Sequence, residues 1–442
     1  MPCEIAVSRT PFALRAAVVR GGRLDDLEIE LNGRHSRRGA VLLTKVSRVL
    51  PAMQAAFLDV GEQRAAFLYA GDLRDPEAHL AETTGTEDLN PVRRQLSVRR
   101  PLDQVLQAGQ TLLAQVRKDP IGKKGLRMGT FFSIPGALCI HLPGVRHVGV
   151  SRRITDDAER DRLRAAFEPL AAAAGGGFVV RTAAAGIPEA DLQAEGARLI
   201  TAWEKVRAAA ENAAVGNCVF QDAPLPVRML REYAGDKVQR VLVDNGSDLG
   251  PLREAAAQMP KALRPEVTHY KGKSALFTHL GVDKALAEAG QPRVTLKSGA
   301  VLVIQQTEAL VSVDVNSGSF TGSGTRLADT ALQVNLESAP EIFRQLRIRG
   351  LGGLVVMDFI DMDAPGHQRK LMDVLDAEIL RDREKNRVLG VSEFGLVEMT
   401  RRRTGKSLHH LLSDACPACK GSGAVPGILP AAEKLWLEVD AR

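Results

Sequence analysis

The sequence predicts a multidomain protein in which a small β-barrel is combined with α/β units, and three observations predict it. At 442 residues the chain is too long for a single hydrophobic core. Short strands at even spacing, divided by turn residues, fill much of 4–142 and suggest a barrel. Beyond about residue 156 helices and strands alternate, and two apolar strands joined by a helix each run into an aspartate.

The elements follow in order. Ile5–Val7 and Leu14–Val19 flank a loop, Gly21-Gly22 marks a turn, and Leu27–Leu31 alternates apolar with acidic residues. Strands are then expected at Ala40–Val46, Ala55–Val60, Ala65–Tyr69, Thr111–Lys118 and Leu138–Leu142, with the polar stretch 74–101 as a long loop. An alanine-rich helix over Asp156–Ala173 stops at Gly175-Gly176-Gly177. Gly177–Val180 is a strand leading into Arg181-Thr182, and a second long helix covers 188–213. A strand at Arg240–Asp244 and helices at Leu252–Met259 and Gly281–Ala289 come next.

In the last large unit Val301–Ile304 and Ala309–Val313 are strands, the second continuing into Asp314-Val315-Asn316. A helix over 326–349 carries Leu332, Leu336, Ala339, Phe343 and Leu346 at three- to four-residue spacing. The strand Leu354–Met357 ends in Asp358. Strands joined in this way would be sheet neighbours, and their C-terminal ends would bring both carboxylates to one crevice. Adjacent carboxylates repel, and a bound cation resolves the repulsion. Magnesium binds through one or two carboxylates together with substrate phosphate and water. Strand-end aspartates also serve as ordinary turn and capping residues, and pattern alone favours that reading.

Composition narrows the classes. A net charge of +6 is a mild bias toward polyanions, and the basic residues gather in five clusters, at 34–38, 93–100, 117–127, 152–153 and 401–403. No run of about 18 apolar residues occurs, and the N-terminus does not read as a signal peptide. Five scattered cysteines make a poor disulfide framework, which leads to the expectation of a reducing, cytoplasmic setting. Cys416 and Cys419 are a pair at zinc spacing, but structural zinc takes four ligands. Either His409 and His410 complete the site within one chain, or two chains donate one pair each. Gly405-Lys406-Ser407 and Gly272-Lys273-Ser274 lack the first glycine of a nucleotide-binding loop.

The strings SRVLPAMQAAFLDVG (47–61), KDPIGKKG (118–125), HVGVSRRI (147–154), VVRTAAAG (179–186), VDVNSG (313–318), RIRGLGGLVVMDFIDM (347–362), GLVEMTRRRTGKS (395–407) and CPACKGSG (416–423) occur in this order. Together they resemble the ribonuclease E/G family over essentially the whole chain. The resemblance implies an RNase H-like subdomain (1–37 and 216–289) split by an OB-fold barrel (38–130) and a 5′-monophosphate sensor (131–215). A DNase I-like catalytic unit (290–411), a zinc link (412–425) and a tail (426–442) would follow.

The resemblance further implies a magnesium-dependent endoribonuclease in rRNA maturation and mRNA decay. Its substrate would be single-stranded, often A/U-rich RNA, and its products would carry 3′-hydroxyl and 5′-phosphate ends. Asp314 and Asp358 would hold the magnesium, and Asn316 would position the metal or its water. Phe57, Phe67, Lys118, Lys124 and Arg349 would contact RNA, although periodicity alone favours a barrel-core place for both phenylalanines. Arg181 and Thr182, with a backbone amide near Gly136 and an apolar contact at Ile140, would sense the 5′-phosphate. Cys416 and Cys419 would share a zinc ion between two chains of a homodimer. The alternative is a catalytically inactive RNA-binding factor on the same scaffold, against which the intact Asp314, Asn316 and Asp358 set argues.

Overall fold

The computed structural model describes the chain except for Met1, 34–35, 75–88, Arg99, 121–124, 320–326, Asp363, Thr404, Ala415, Lys420, Ser422, Ala424, Pro426 and 441–442. The chain begins with an antiparallel meander, β1 (Cys3–Arg9), β2 (Ala13–Arg20) and β3 (Arg23–Leu31). A barrel follows, of β4 (Val41–Leu50), β5 (Ala55–Asp59), β6 (Ala66–Tyr69), β7 (Thr111–Lys118) and β8 (Arg127–Gly129). Its strands run in the order β4-β5-β6-β8-β7, and β7 pairs back to β4, so the barrel is closed. Closure leaves no free edge among these five strands. The helix α1 (Leu89–Leu96) lies in the stretch expected to be loop. Leu96 is buried with Phe131 and Leu142, so tertiary packing stabilises a segment too polar to announce itself as a helix.

A four-stranded sheet comes next, of β9 (Ile134–Pro135), β10 (Cys139–Leu142), β11 (Val148–Val150) and, after the helix α2 (Asp157–Ala174), β12 (Gly177–Val180). The Asp156 side chain caps α2 by accepting from the Ala158 N–H at 3.0 Å, and Gly175, at φ +59°, ends it. The long helix α3 (Glu189–Glu211) leads to β13 (Cys218–Phe220), which hydrogen-bonds to β4 on the outside of the barrel. Then α4 (Leu225–Glu232), β14 (Arg240–Val243), α5 (Gly246–Ala257), β15 (Glu266–His269), α6 (Leu276–His279) and α7 (Val282–Ala289) return to the first unit. There β14 and β15 extend β1 in parallel, giving the order β15-β14-β1-β2-β3.

The last sheet has six strands, β16 (Arg293–Thr295), β17 (Val301–Gln306), β18 (Leu310–Asn316), β19 (Gly353–Asp358), β20 (Asn386–Val391) and β21 (Leu396–Arg401), in the order β16-β17-β18-β19-β21-β20. Among them only β18 and β19 are parallel, because the long helix α8 (Leu327–Ile348) makes the crossover between them. Together with α9 (Pro365–Arg381), α8 covers one face of this sheet. On its other side α8 meets the first sheet, where Arg347 pairs with Asp25 at 2.6 Å and Arg344 donates to the Leu24 carbonyl at 2.7 Å. Short α10 (Leu408–Leu412) and the exposed, apolar α11 (Ile428–Asp440) complete the chain. Among the described residues no helix is long and apolar enough to cross a membrane.

Candidate active site

Strand alternation makes the site. Val313, Val315, Met357 and Phe359 point into the core beneath α8 and α9, so Asp314, Asn316 and Asp358 must point out of the opposite face. Asp314 and Asp358 are register partners across the parallel pair, one strand spacing of roughly 4.8 Å apart. Both are exposed. Asn316 donates from Nδ2 to Asp314 Oδ2 at 2.8 Å and fixes that carboxylate. The chain beyond Asp358 is held equally firmly. Asn335 of α8, fully buried, donates to the Ile360 carbonyl at 2.7 Å and accepts from its N–H at 3.0 Å.

This donor set suits a hard divalent cation. It offers carboxylate oxygens on an open surface, and among the described residues no group of three or more His, Cys, Asp or Glu is placed to cage a metal. Magnesium needs no such cage, because it retains waters and takes phosphate oxygens as ligands.

Three other groups lie elsewhere. In the barrel Ala56, Leu58, Ala66 and Leu68 fill the core, which leaves Phe57 and Phe67 half-buried on the outer face. The two rings meet edge to face with centroids 5.5 Å apart, and Tyr69 lies against Phe67 at 4.3 Å. Arg127 sits 4.8 Å over the Tyr69 ring. Arg127 ends the basic cluster at 117–127, and Tyr69, not expected here, shares the period-two face of Phe67. Lys118 is exposed at the end of β7, and Lys124 lies outside the described residues.

At one end of the four-stranded sheet, Arg181 and Thr182 come up beside the turn that holds Gly136. The Arg181 N–H bonds to the Leu138 carbonyl at 2.8 Å and the Gly136 N–H to the Cys139 carbonyl at 2.8 Å. Thr182 Oγ1 lies 3.0 Å from Ser151 Oγ. Burial, little offset by nearby Glu232, pushes the Arg181 pKa below its ordinary value. Ile140, half-buried, stands between Pro135 and Val179 in the same sheet.

The Cys419 pKa is lowered from its ordinary value by backbone N–H groups of Gly421 and Gly423 and by the Cys416 thiol. His410 is engaged with Ser407 Oγ at 2.7 Å. Neither histidine forms a metal-holding group with the cysteines among the described residues.

Two expectations meet a different geometry. Arg349, expected to touch RNA, is 7% exposed, and its Nε donates to Gln345 Oε1 at 2.8 Å. Burial lowers its pKa to about 10. Several members of the basic clusters also hold the fold together. Arg401 is buried with Asp382, Arg403 donates to the Gly352 carbonyl and Arg153 to the Asp382 carbonyl. The basic clusters therefore offer less open positive surface than their number alone suggests. Arg34, Arg99 and Lys123 lie outside the described residues.

Residues 133–404 match the family model described as "Ribonuclease E/G family". The chain belongs to the ribonuclease E/G family. It is 37% identical to Ribonuclease G of Escherichia coli K12 over 439 residues, covering 99% of this chain and 88% of the relative. Ribonuclease G of Haemophilus influenzae Rd is 34% identical over 436 residues, covering 99% and 87%. Ribonuclease E of Escherichia coli K12 is 35% identical over 414 residues, covering 93% of this chain but 38% of that longer relative. The family match spans the sheet that carries Asp314 and Asp358.

Proposed function

We propose that this chain is an endoribonuclease that hydrolyses single-stranded, A/U-rich RNA with magnesium held between Asp314 and Asp358. Family membership and the ribonuclease relatives support RNA cleavage. The observation that carries the metal assignment is the in-register placement of the two carboxylates on one open sheet face. When bound, the ion supplies charge to polarise the scissile phosphodiester and acidify a water. The chain's residues do the rest. Asp314 and Asp358 present oxygen ligands, and Asn316 keeps Asp314 in orientation. Addition of the water oxygen to phosphorus with departure of the 3′ oxygen, which takes up a proton, leaves 3′-hydroxyl and 5′-phosphate ends.

We read the closed barrel as an OB-fold, whose five-strand order fits that family of barrels, and the first sheet as RNase H-like. Phe57 and Phe67 would stack on bases, and Lys118 and Lys124 would face the backbone. Arg181 and Thr182 would receive a 5′-monophosphate, since the guanidinium fork and hydroxyl match its oxygens. Cys416 and Cys419 would supply half of a zinc site completed by a second chain, giving a homodimer. Roles in rRNA maturation and mRNA decay, in the cytoplasm, belong to the same reading.

A circular and a linear RNA of one sequence test the core of the proposal. Conversion of the circle to a single linear product is expected. Shortening of the linear RNA beside an untouched circle would mean an exonuclease instead.

A further inference from the structure

The carboxylate pair leaves unexplained a cavity of about 380 Å³ that opens one residue beyond Asp358. One wall is the Phe359–Met362 segment, the other is the turn joining β20 to β21, and Leu371 of α9 closes the floor. Both walls are tied by hydrogen bonds. The first is gripped by Asn335 at Ile360 and by Gln368, which donates to the Met362 carbonyl at 2.9 Å. The second is a tight turn, with Ser392 N–H bonded to the Leu396 carbonyl at 2.8 Å and Gly395 N–H to the Ser392 carbonyl at 3.0 Å.

Phe394 stands on that turn, 88% exposed at the rim of the cavity. A single exposed aromatic is ordinary by itself. Its position is what matters here, because Leu396, two residues further on, is the register partner of Asp358. Asp314 and Asp358 lie towards the close of β18 and β19, at the same end of the sheet at which this turn enters β21, so the cavity and the carboxylate pair share that end. Across the cavity the Asp361 carboxylate reaches the same turn, its Oδ1 lying 3.5 Å from where a Cβ on Gly395 would be.

The lining also says what the cavity would refuse. Among the described residues Asp361 and Glu393 line it and no lysine or arginine does, so a phosphate would be repelled. Ionised carboxylates only accept hydrogen bonds, and they match the exocyclic amines of adenine, cytosine or guanine. Uracil has no such amine and offers a carboxylate only its ring N3–H.

We propose that this cavity is a nucleobase subsite for a nucleotide flanking the cut, with Phe394 stacking on the base and Asp361 accepting from its exocyclic amine. The proposal rests on the endoribonuclease reading and adds a base preference to it. Base–aromatic stacking of ordinary strength corresponds to roughly tenfold in kcat/KM.

The test uses the full chain and a set of short single-stranded RNAs cut at one site, each with one abasic nucleotide near that site. For the unsubstituted chain, one abasic position is expected to lower kcat/KM about tenfold. Phe394→Ala should show that loss already on intact RNA and lose nothing more at that position, while Phe394→Trp restores the difference. Uracil at that position should be a poorer substrate than adenine, and Asp361→Asn, whose amide can also donate to uracil O4, should narrow the gap. Cleavage with no Phe394-dependent position, or losses that simply multiply, would overturn the subsite and leave the nuclease reading standing. Failure to cut any of the RNAs would bring down both.

Discussion

Arg401 grips both carboxylate oxygens of Asp382, through Nε at 2.7 Å and Nη2 at 3.0 Å, where neither side chain is more than 6% exposed. Arg401 also donates to the Leu351 carbonyl at 2.6 Å, and Asn386 donates to Asp382 at 2.9 Å. The pair thus ties the end of α9 and the end of β21 to the loop that enters β19, the strand carrying Asp358. Burial alone raises the Asp382 carboxyl, but the Arg401 hydrogen bonds and charge outweigh it and hold it below the ordinary carboxylate range.

Asp382→Asn leaves a buried, unpaired guanidinium and should cost about 3–5 kcal/mol in urea denaturation near neutral pH. Because the folded pKa is depressed, the contribution is fully present above the ordinary value of 3.8 and disappears as pH falls through the folded value. The gap between the two proteins should therefore shrink in acid. A gap that stays constant would mean that the charge on Asp382 is not its source.

On the barrel, Phe67→Ala should weaken binding of single-stranded RNA by about 1–3 kcal/mol with little loss of folding stability. Fluorescence anisotropy in an Asp358→Asn background reads binding without cleavage. An unchanged Kd would remove the Phe57, Phe67 and Tyr69 face from the RNA path.

Arg181→Ala should abolish the preference for 5′-monophosphorylated over 5′-hydroxyl RNA while basal cutting persists. The measurement is the ratio of kcat/KM for the two ends of one sequence. An equal fall for both ends speaks against sensing.

Chelation of zinc should convert dimer to monomer by light scattering. Since zinc takes thiolates, mild acid should have the same effect, delayed by the lowered pKa of Cys419. A mass that does not respond to chelator places the link elsewhere.

Much of this was legible because the signal was local. The β18–α8–β19 unit showed as short apolar runs around a helix of period 3.6, and that pattern put Asp314 beside Asp358. Asp156 and Gly175 likewise announced the ends of α2. Long-range pairing was not legible. Nothing near Cys218 says that it will lie against Leu42, and nothing near Arg401 names Asp382, because such partners share no periodicity. The same holds for Arg349, expected at the RNA from the resemblance: nothing local in the sequence says that its side chain is buried and bonded to Gln345. The helix α5 began earlier than its apolar pattern because Asn245, accepting from Ser247 N–H at 3.0 Å, caps a first turn that is largely polar.

The most direct measurement is single-turnover cleavage of a single-stranded RNA at saturating magnesium by the unsubstituted chain, Asp314→Asn and Asp358→Asn. Each substitution should slow the chemical step by more than about 100-fold, beyond the 10–100-fold typical of losing an outer-shell partner, while RNA binding is retained. Near-normal turnover in either variant would contradict a metal centre built on this rung.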